Sequence, residues 1–570
     1  MSLAPQNTPA DITDALNGSL TEWYSNVDNC LKTSECVPGH YEYTQAPSYG
    51  TQCPIQEGGS TKIDIGCSRF EIIEIDNSYI DCTIKYPLQF PPQLYQNEQY
   101  PNAGTGRLYY VGFKSAFDVI DQYRIYSNGE LVQTQNNACY DSFINYITLT
   151  DSAKETSPAY ATLDKVLRRD QNVPGVYVLL DNVGDISFDI DIHMKIPLNA
   201  FPLLQHLRYY PGFMGKLSIE IYPSYKNLVW VNITNQDEEI RQGLSAFDIK
   251  HKQLGVGPQP QNAAPHAYLT AQQFRCGAIF RQINTIGYNR LYIDTADNNT
   301  AKCDDYQISC NYSTLTEFKL YQAVYMVKMD VYNALEMNYL QIPLLFPIQT
   351  VTNVKFTYAM GNDSHFTLQN TATLSHCDAI FVVFPENSNE RTVSFNPEIK
   401  AQLSINGKYY PREPLTTNGT DPRFINLVHD ALNINNNPLM TPGKDIETSL
   451  KPYTHTFKVI EANFIGYDVY YFAAGDRSNF VYAVPLSTDE DFMGGISSNG
   501  STIQIELVGT RDALCDNVNS VNSFNHAEAP VAIFIEDKLM KIYSMKPPGK
   551  PQIQITNATL DQIVASGGTA

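Results

Sequence analysis

The same series of short motifs occurs twice along this chain, in the same order and at nearly constant spacing. Each series contains an Asn-Gly pair between runs of alternating apolar residues, which is typical of a tight β-hairpin turn because Asn and Gly accept positive φ angles. One match would be chance, but five in order predict two copies of one β-domain. The pairs are SNGEL and INGKY, offset 278 (Asn128 to Asn406); DSFIN and DPRFIN, offset 281 (Phe143 to Phe424); IPL and VPL, offset 288 (Pro197 to Pro485); LSIEI and IQIEL, offset 286 (Glu220 to Glu506); and AFDIKHKQL and IFIEDKLMK, offset 287 (Phe247 to Phe534).

Strand signals dominate both copies. From Asp185 to Ile196 every even-numbered residue is Ile, Phe or Met and every odd-numbered residue is polar, which predicts a half-buried β-strand. A chain of 570 residues exceeds what one hydrophobic core usually supports, and its 38 Tyr favour a pleated surface. The sequence therefore predicts an all-β protein of two large domains.

The repeat sets the predicted domain limits. Pro- and Gly-rich stretches follow each copy, and the first 61 residues have no counterpart before the second copy. We predict that both terminal segments order only against neighbouring chains. PRFINLVHDAL and its counterpart SFINYITL predict one short inserted helix in each domain, with Phe424, Val428 and Leu432 at helical spacing. The predicted limits are 1–61 for an N-terminal arm, 62–257 for the first domain, 258–265 for a linker, 266–547 for the second domain and 548–570 for a tail.

The charge balance bears on the class of partner. The formal net charge is −21 and no run of basic residues occurs, whereas a protein that grips nucleic acid needs Lys and Arg to displace counterions. Direct, sequence-specific DNA binding is therefore not expected. The start, MSLAPQNTPAD, has neither a basic nor an apolar signal region, and no apolar run approaches the ~20 residues of a membrane span.

The 11 cysteines form no CxxC pair, so free thiols in a reducing compartment are expected. The alternative is a disulfide among the four that lie close together in the sequence near the N-terminus, namely Cys30, Cys36, Cys53 and Cys67.

Three polar clusters in the sequence are candidate sites. His526 and Glu528 resemble the HxE of zinc deaminases, but no P-C-x-x-C follows them. Asp489, Glu490 and Asp491 lack the spacing of a calcium loop, and a solvated turn is the simpler interpretation. The set Asp189, Asp191 and His193 shares one strand face and could hold a metal, but an ordinary outer strand face is preferred. We therefore predict no catalytic residues, no cofactor and no metal site.

Longer blocks of both halves resemble a known family. They are YYVGFKSAFDVIDQYRIYSNGELVQTQNNACYDSFINY and KIPLNAFPLLQHLRYYPGFMGKLSIEIYPSYKNLVWV in the first half, and FVVFPENSNERTVSFNPEIKAQLSINGKYYPREPLTTNGTDPRFINLV, YAVPLSTDEDFMGGISSNGSTIQIELVG and APVAIFIEDKLMKIYSMKPPGKPQIQIT in the second. The chain resembles the major capsid proteins of the Polinton (Maverick), adintovirus and virophage lineage over roughly residues 62 to 556.

The resemblance implies a double jelly roll, that is, two tandem eight-stranded β-sandwiches. It also implies homotrimeric, pseudo-hexameric capsomers that tile an icosahedral virion shell around a DNA genome, with a minor capsid or penton protein as a further partner, and no enzymatic activity. The alternative is a carbohydrate-binding protein or glycoside hydrolase with two sandwiches. Sugar-binding surfaces usually stack sugars on Trp, and the chain has only Trp23 and Trp230.

Overall fold

The fold is described from a computed structural model. The described residues are 23–29, 31, 40–45, 53–90, 107–180, 187–205, 207–233, 280–284, 286–294, 300–341, 344–355, 365–371, 374–383, 385, 398–405, 407–416, 422–432, 456–457, 469–470, 481–487, 495–498, 502–510, 530–544 and 551–557.

Strands make up most of the described chain, and the helices are short. The strands are β1 (His40–Gln45), β2 (Ile55–Gln56), β3 (Thr61–Ile65), β4 (Glu71–Gln89), β5 (Arg107–Gly112), β6 (Ile120–Ser127), β7 (Glu130–Asn136), β8 (Gly175–Leu180), β9 (Ser187–Pro197), β10 (Tyr209–Pro211), β11 (Leu217–Pro223), β12 (Val229–Asn232), β13 (Arg281–Gln282), β14 (Ile286–Asp294), β15 (Thr300–Gln307), β16 (Ser309–Cys310), β17 (Thr314–Met326), β18 (Leu344–Lys355), β19 (His365–Thr371), β20 (Leu374–Val383), β21 (Glu398–Ile405), β22 (Lys408–Thr416), β23 (Thr456–Phe457), β24 (Val469–Tyr470), β25 (Tyr482–Pro485), β26 (Ile496–Ser498), β27 (Thr502–Thr510), β28 (Val531–Ser544) and β29 (Pro551–Asn557). The helices are α1 (Cys139–Thr148), α2 (Asp151–Thr156), α3 (Leu163–Leu167), α4 (Pro202–Gln205), α5 (Met329–Gln341) and α6 (Pro422–Ala431).

The second half of the chain is a jelly roll. One sheet has the order β18-β28-β20-β25 and the other β19-β27-β21-β22, and the neighbours in each sheet are antiparallel. If the eight strands are lettered B to I along the chain, these orders are B-I-D-G and C-H-E-F. This is the arrangement of two Greek keys folded into a sandwich.

The first half repeats this order. Strands β1 and β2 pair with β17, β17 pairs with β4, and β4 pairs with β9, which gives B-I-D-G. The opposite sheet has the order β3-β11-β6-β7, which gives C-H-E-F. The predicted all-β double jelly roll with short inserted helices is confirmed.

Four of the five motif pairs occupy equivalent positions in the two rolls. Ser127 pairs with Glu130 and Ile405 with Lys408, so both Asn-Gly motifs span the connection between strands E and F. Gly129 and Gly407 have φ angles of 93° and 74°, as such turns require. The DSFIN and DPRFIN motifs lie in α1 and α6, which follow strand F, while IPL and VPL begin in strand G and LSIEI and IQIEL lie in strand H.

The fifth motif pair bears on the predicted domain limits. Residues 246–254 lie outside the described part of the chain, and the position of strand I in the first roll is held by β17. This strand lies within 266–547, the range predicted for the second domain. We therefore propose that the first roll spans 40–326 and the second 344–557, with α5 between them; the predicted linker, 258–265, is outside the described residues.

The first roll is longer because its connections carry extra structure. Strand β5 lies between D and E, β8 between F and G, and β12 and β13 between H and I. These three connections leave the same end of a jelly roll, and their strands form one further sheet in the order β13-β12-β5-β8. The H–I connection, which also contains the β14–β15 hairpin, is the insertion that displaces strand I along the sequence.

The terminal segments differ from the predicted arm and tail. Trp23 is fully buried, and β1 pairs with β17 from His40 to Gln45, so part of 1–61 belongs to the fold of its own chain. Likewise β29 pairs with β28 along its whole length, although it lies in the predicted tail. The reason is that apolar side chains, including Ile55 and Ile553, complete the core of the rolls.

Candidate functional site: the joint between the two rolls and its open counterpart

A helix of the first roll packs on the second roll. Of the ten residues of α1, eight are buried, although α1 begins and ends in the first roll. Its apolar side chains belong to the same cluster as those of β20 and β28. The α1 residues in this cluster are Cys139, Tyr140, Phe143, Ile144, Tyr146 and Ile147.

Side-chain amides beside α1 bind the edge of the second roll. Strand β18 is the last strand of its sheet within the described chain, so its backbone carbonyls are available for bonding. The Gln135 Nε2 donates to the Val351 carbonyl oxygen at 3.0 Å, and the Asn137 Nδ2 donates to the Asn353 Oδ1 at 3.2 Å. The Asn353 Nδ2 donates in turn to the Asn136 carbonyl oxygen at 3.2 Å. The first roll thus covers part of an edge that would otherwise present unpaired backbone groups.

The last strand ties the rolls together from the other direction. Ile553 of β29 belongs to the apolar cluster of the first roll, and its backbone N–H donates to the Ser127 Oγ at 3.4 Å. Phe346 of β18, near the start of the second roll, belongs to the same apolar cluster. Both ends of the second roll's sequence therefore contact the first roll.

A buried carboxyl group stands at the centre of the joint. Asp141 of α1 is 1% exposed and accepts hydrogen bonds from the Tyr123 hydroxyl at 3.0 Å and from the Gln135 Nε2 at 2.8 Å. Burial raises the pKa of this carboxyl to about 8, and the two hydrogen bonds lower it only in part. Because Gln135 also bonds Val351, the protonation state of Asp141 is linked to the contact between the rolls.

The equivalent helix of the second roll has an open face. In α6, Phe424 and Val428 are fully buried, and the Phe424 ring stacks on the Tyr482 ring at 6.4 Å between centroids. The side chains of Arg423, Asn426 and Asp430 are exposed along one stripe of the helix. The two helices differ because α1 packs on the other roll, whereas the contacts of α6 among the described residues are with its own roll.

The strand face that the sequence offered as a possible metal site is formed by β9. Asp189 and His193 project from β9 beside β4, with the Asp189 Oδ2 2.7 Å from the Lys85 Nζ and the His193 Nε2 2.6 Å from the Asp81 Oδ1. Asp191 lies between them and is exposed. Asp189 and His193 are thus each paired with a charged side chain of the neighbouring strand β4. Among the described residues, no three His, Cys, Asp or Glu side chains form a group suited to a metal.

A metal at this face would contribute folding energy, so its removal would lower stability. We expect a chelator to leave the melting temperature unchanged, and we expect Asp189→Ala or His193→Ala to change the free energy of unfolding by no more than about 0.5 kcal/mol, as at ordinary surface positions. Differential scanning calorimetry with and without chelator measures both effects. A drop of several degrees, or stoichiometric metal in the purified protein, would contradict this prediction.

The second roll contains an acidic pair that sequence reasoning missed. Asp537 is 3% exposed, and it interacts with Asp378 of the neighbouring strand β20, which also accepts from the Gln349 Nε2 at 3.0 Å. Burial, followed by the charge and hydrogen bond of Asp537, raises the pKa of Asp378 well above its usual value. One signal was available, since Asp378 is the single charged residue in the run CDAIFVVF.

The other predicted residues are only partly visible. His526, Glu528 and the cluster Asp489, Glu490 and Asp491 lie outside the described residues, as do Cys30 and Cys36. Cys53 and Cys67 are free thiols. No helix in the described ranges is both long and apolar enough to cross a membrane.

Comparison with known proteins gives the following. No family model and no curated protein matches the sequence. Solved structures that are similar include the PBCV-1 virus capsid (TM-score 0.39, 9% identity, 92% of this chain and 98% of the other), the Sputnik virophage (0.39, 10%, 92% and 90%) and Sulfolobus Turreted Icosahedral Virus (0.33, 10%, 93% and 96%). Similarity at this level does not establish function, and the strand orders described above define the fold without it.

Proposed function

We propose that this chain is the major capsid protein of a DNA virus or virus-like element of the Polinton, adintovirus and virophage lineage. It acts as a structural protein without catalytic activity, cofactor or required metal. Three copies form a pseudo-hexameric capsomer, and capsomers tile an icosahedral shell. The protein is located in the virion after synthesis in the host cytoplasm or nucleus.

The observation that carries this proposal is the joint between two complete jelly rolls. The α1 helix, the amides of Gln135 and Asn137, and strand β29 fix one roll against the other. A rigid pair of similar domains, repeated three times around an axis, presents six near-equivalent sides, which suits a closed symmetric assembly. The motif blocks shared with the capsid family point to the same function.

Two further features agree with a structural role. Both tryptophans are buried, Trp23 at 0% and Trp230 at 1% exposure, so neither offers a ring on which a sugar could stack. The strongly acidic chain has no basic surface run, and contact with other shell proteins, such as a minor capsid or penton protein, is therefore preferred over sequence-specific DNA binding.

The test is the assembly state of the full chain. Light scattering coupled to size exclusion should give the mass of a trimer or a larger assembly, and negative-stain microscopy should show hexagonal particles or shells. A stable folded monomer at micromolar concentration would overturn the proposal, and binding or cleavage of carbohydrate by that monomer would favour the alternative.

A further inference from the structure

The B-I-D-G sheets of the two rolls differ in what covers them. In the second roll, consecutive residues of Ala379–Val383 and Val531–Phe534 are all 3% exposed or less, so the sheet is buried on both faces there. In β4 of the first roll, Ile80, Cys82 and Ile84 are buried while the residues between them are partly exposed. Because successive side chains point to opposite faces of a strand, one face of the first sheet is open.

The strand register shows which positions correspond. A rung is the set of residues that pair side by side across neighbouring strands. The aligned IPL and VPL motifs make one rung of the first roll equivalent to one rung of the second: Ile196, Ile80 and Leu320 correspond to Val484, Ile380 and Phe534. The adjacent outward rungs in the second roll are Ala379 with Ile535, Phe381 with Ile533, and Val383 with Val531. Their counterparts in the first roll are Tyr79 with Tyr321, Asp81 with Lys319, and Thr83 with Glu317.

We propose that this outward face of the first roll binds the α6 side of the second roll of another copy of the chain. The proposal rests on the proposed capsid function and names the surfaces through which the subunits meet. Within one chain the α1 side of the first roll covers the second roll. In the part of the chain that the structure describes, the α6 side of the second roll and the outward face of the first roll then have no such contact. A contact between two different surfaces of identical chains forms a ring when the rotation from one chain to the next closes, as it does in the proposed trimer.

The receiving face has the composition of a polar interface. The Tyr79 and Tyr321 rings stack at 5.2 Å between centroids, and the Lys195 Nζ lies 4.8 Å from the Tyr79 ring centroid. Asp191 and Glu317 are exposed beside them, the latter with 57% of its side chain accessible. Tyrosine is enriched at protein interfaces because its ring gives contact area and its hydroxyl remains polar.

The donor side is formed by α6 and β22. In the described part of the chain β22 is the last strand of its sheet, as β7 is in the first roll. Tyr409 is 52% exposed, Arg412 is exposed, and the Arg423 Nη1 lies 3.3 Å from the Glu413 Oε2. The arginines on this side complement the acidic residues of the receiving face.

Both surfaces are polar, and we attribute this to the stage of assembly at which each contact forms. The joint inside the chain forms during folding and is never presented to solvent as a separate surface, so it can be apolar. The surfaces between chains are exposed until subunits associate, and polar groups keep them from aggregating. The outward face of the second roll is therefore apolar because it is covered within its own chain. The equivalent face of the first roll is polar because, in this proposal, another chain covers it.

A cysteine pair tests the contact in the full-length chain. Asn426→Cys lies on the open stripe of α6, and Glu317→Cys lies on the receiving face. After mild oxidation, the double variant should give dimers and trimers linked by disulfides on non-reducing gels. A mixture of the two single variants should give linked dimers only.

The controls are the unsubstituted chain and Asn426→Cys combined with Glu130→Cys, which is exposed at the E–F turn of the first roll. Neither should form linked oligomers above background. If the double variant is a trimer by light scattering but stays unlinked with the oxidant and with a short bis-maleimide, this inference is overturned and the proposed function stands. If the unsubstituted chain is monomeric, the proposed function itself fails.

Discussion

Replacing Trp23 by alanine is expected to lower the free energy of unfolding by about 3–5 kcal/mol, the range for truncation of a large buried aromatic residue. Its ring is fully buried and meets the Phe346 ring edge-on, with 6.3 Å between the centroids. Phe346 belongs to β18, so the contact joins the start of the chain to the second roll. The measurement is denaturant unfolding followed by far-UV circular dichroism.

The matched control is Ser25→Ala, since Ser25 is exposed in residues 23–29, the short helical segment that begins with Trp23 in the described chain. This variant should unfold within about 0.5 kcal/mol of the unsubstituted chain. An equally small effect of Trp23→Ala would mean that the N-terminal segment is a dispensable arm, as the sequence had suggested. The structure predicts instead that this segment is part of the core.

The sequence predicted the fold well where local chemistry decides it. An Asn-Gly pair between alternating runs has few alternatives to a hairpin, and both copies form one between strands E and F. The alternation from Asp185 to Ile196 produced β9, whose even-numbered residues from Ile190 to Ile196 are buried and whose odd-numbered residues from Asp189 to Lys195 are exposed. Such patterns depend on a few neighbouring residues, so no other part of the chain is needed to interpret them.

The domain limits could not be predicted in the same way. Strand pairing between β4 and β17 joins Glu71 to Met326, and no local signal marks a partner so distant in the chain. The insertion between strands H and I contains strands of its own, which hides the end of the first roll. The motif at residues 246–254 has a plausible spacing but lies outside the described residues, and the described strand at the position of strand I is β17.

The contact between the two rolls could not be predicted from the sequence either. That α1 would be a helix followed from its counterpart α6, but its partner surface depends on how two domains meet. The sequence CYDSFINYIT places its apolar residues on one side of the helix, a pattern typical of an amphipathic helix, so nothing in it predicted the burial of the polar residues Asp141 and Ser142. The stripe of Arg423, Asn426 and Asp430 in α6 marks a helix with one solvent-facing side.

The stability of the protein is expected to fall as the pH rises from about 4 to about 8, and Asp141 is a main cause. In the folded chain the pKa of this carboxyl is raised to about 8 from 3.8 by burial. The unfolded chain releases this proton near pH 4, whereas the folded chain holds it until about pH 8, so the unfolded state binds fewer protons in between. The stabilisation is therefore complete below about pH 4 and is lost as the pH passes about 8.

Asp141→Asn removes this titration while leaving an oxygen that can accept from the Gln135 Nε2. One group contributes at most about 1.4 kcal/mol of unfolding free energy per pH unit, so the variant should show a visibly flatter profile between about pH 5 and about pH 8. A slope of the same sign should remain, because the raised pKa of Asp378 beside Asp537 acts in the same direction. Denaturant unfolding at a series of pH values measures both.

Asp151→Asn is the matched control, since Asp151 stands in the first turn of the next helix, α2, and is partly exposed. It should leave the profile of the unsubstituted chain unchanged.

Because Gln135 bridges Asp141 to the Val351 carbonyl oxygen, ionisation of Asp141 places an unpaired charge at the contact between the rolls. Alkaline pH should therefore also lower the protection of α1 and β18 from hydrogen exchange, corrected for the intrinsic rate at each pH, before it lowers that of β4 and β9. Uniform loss of protection, or a profile that Asp141→Asn leaves as steep as before, would show that the joint does not depend on this proton.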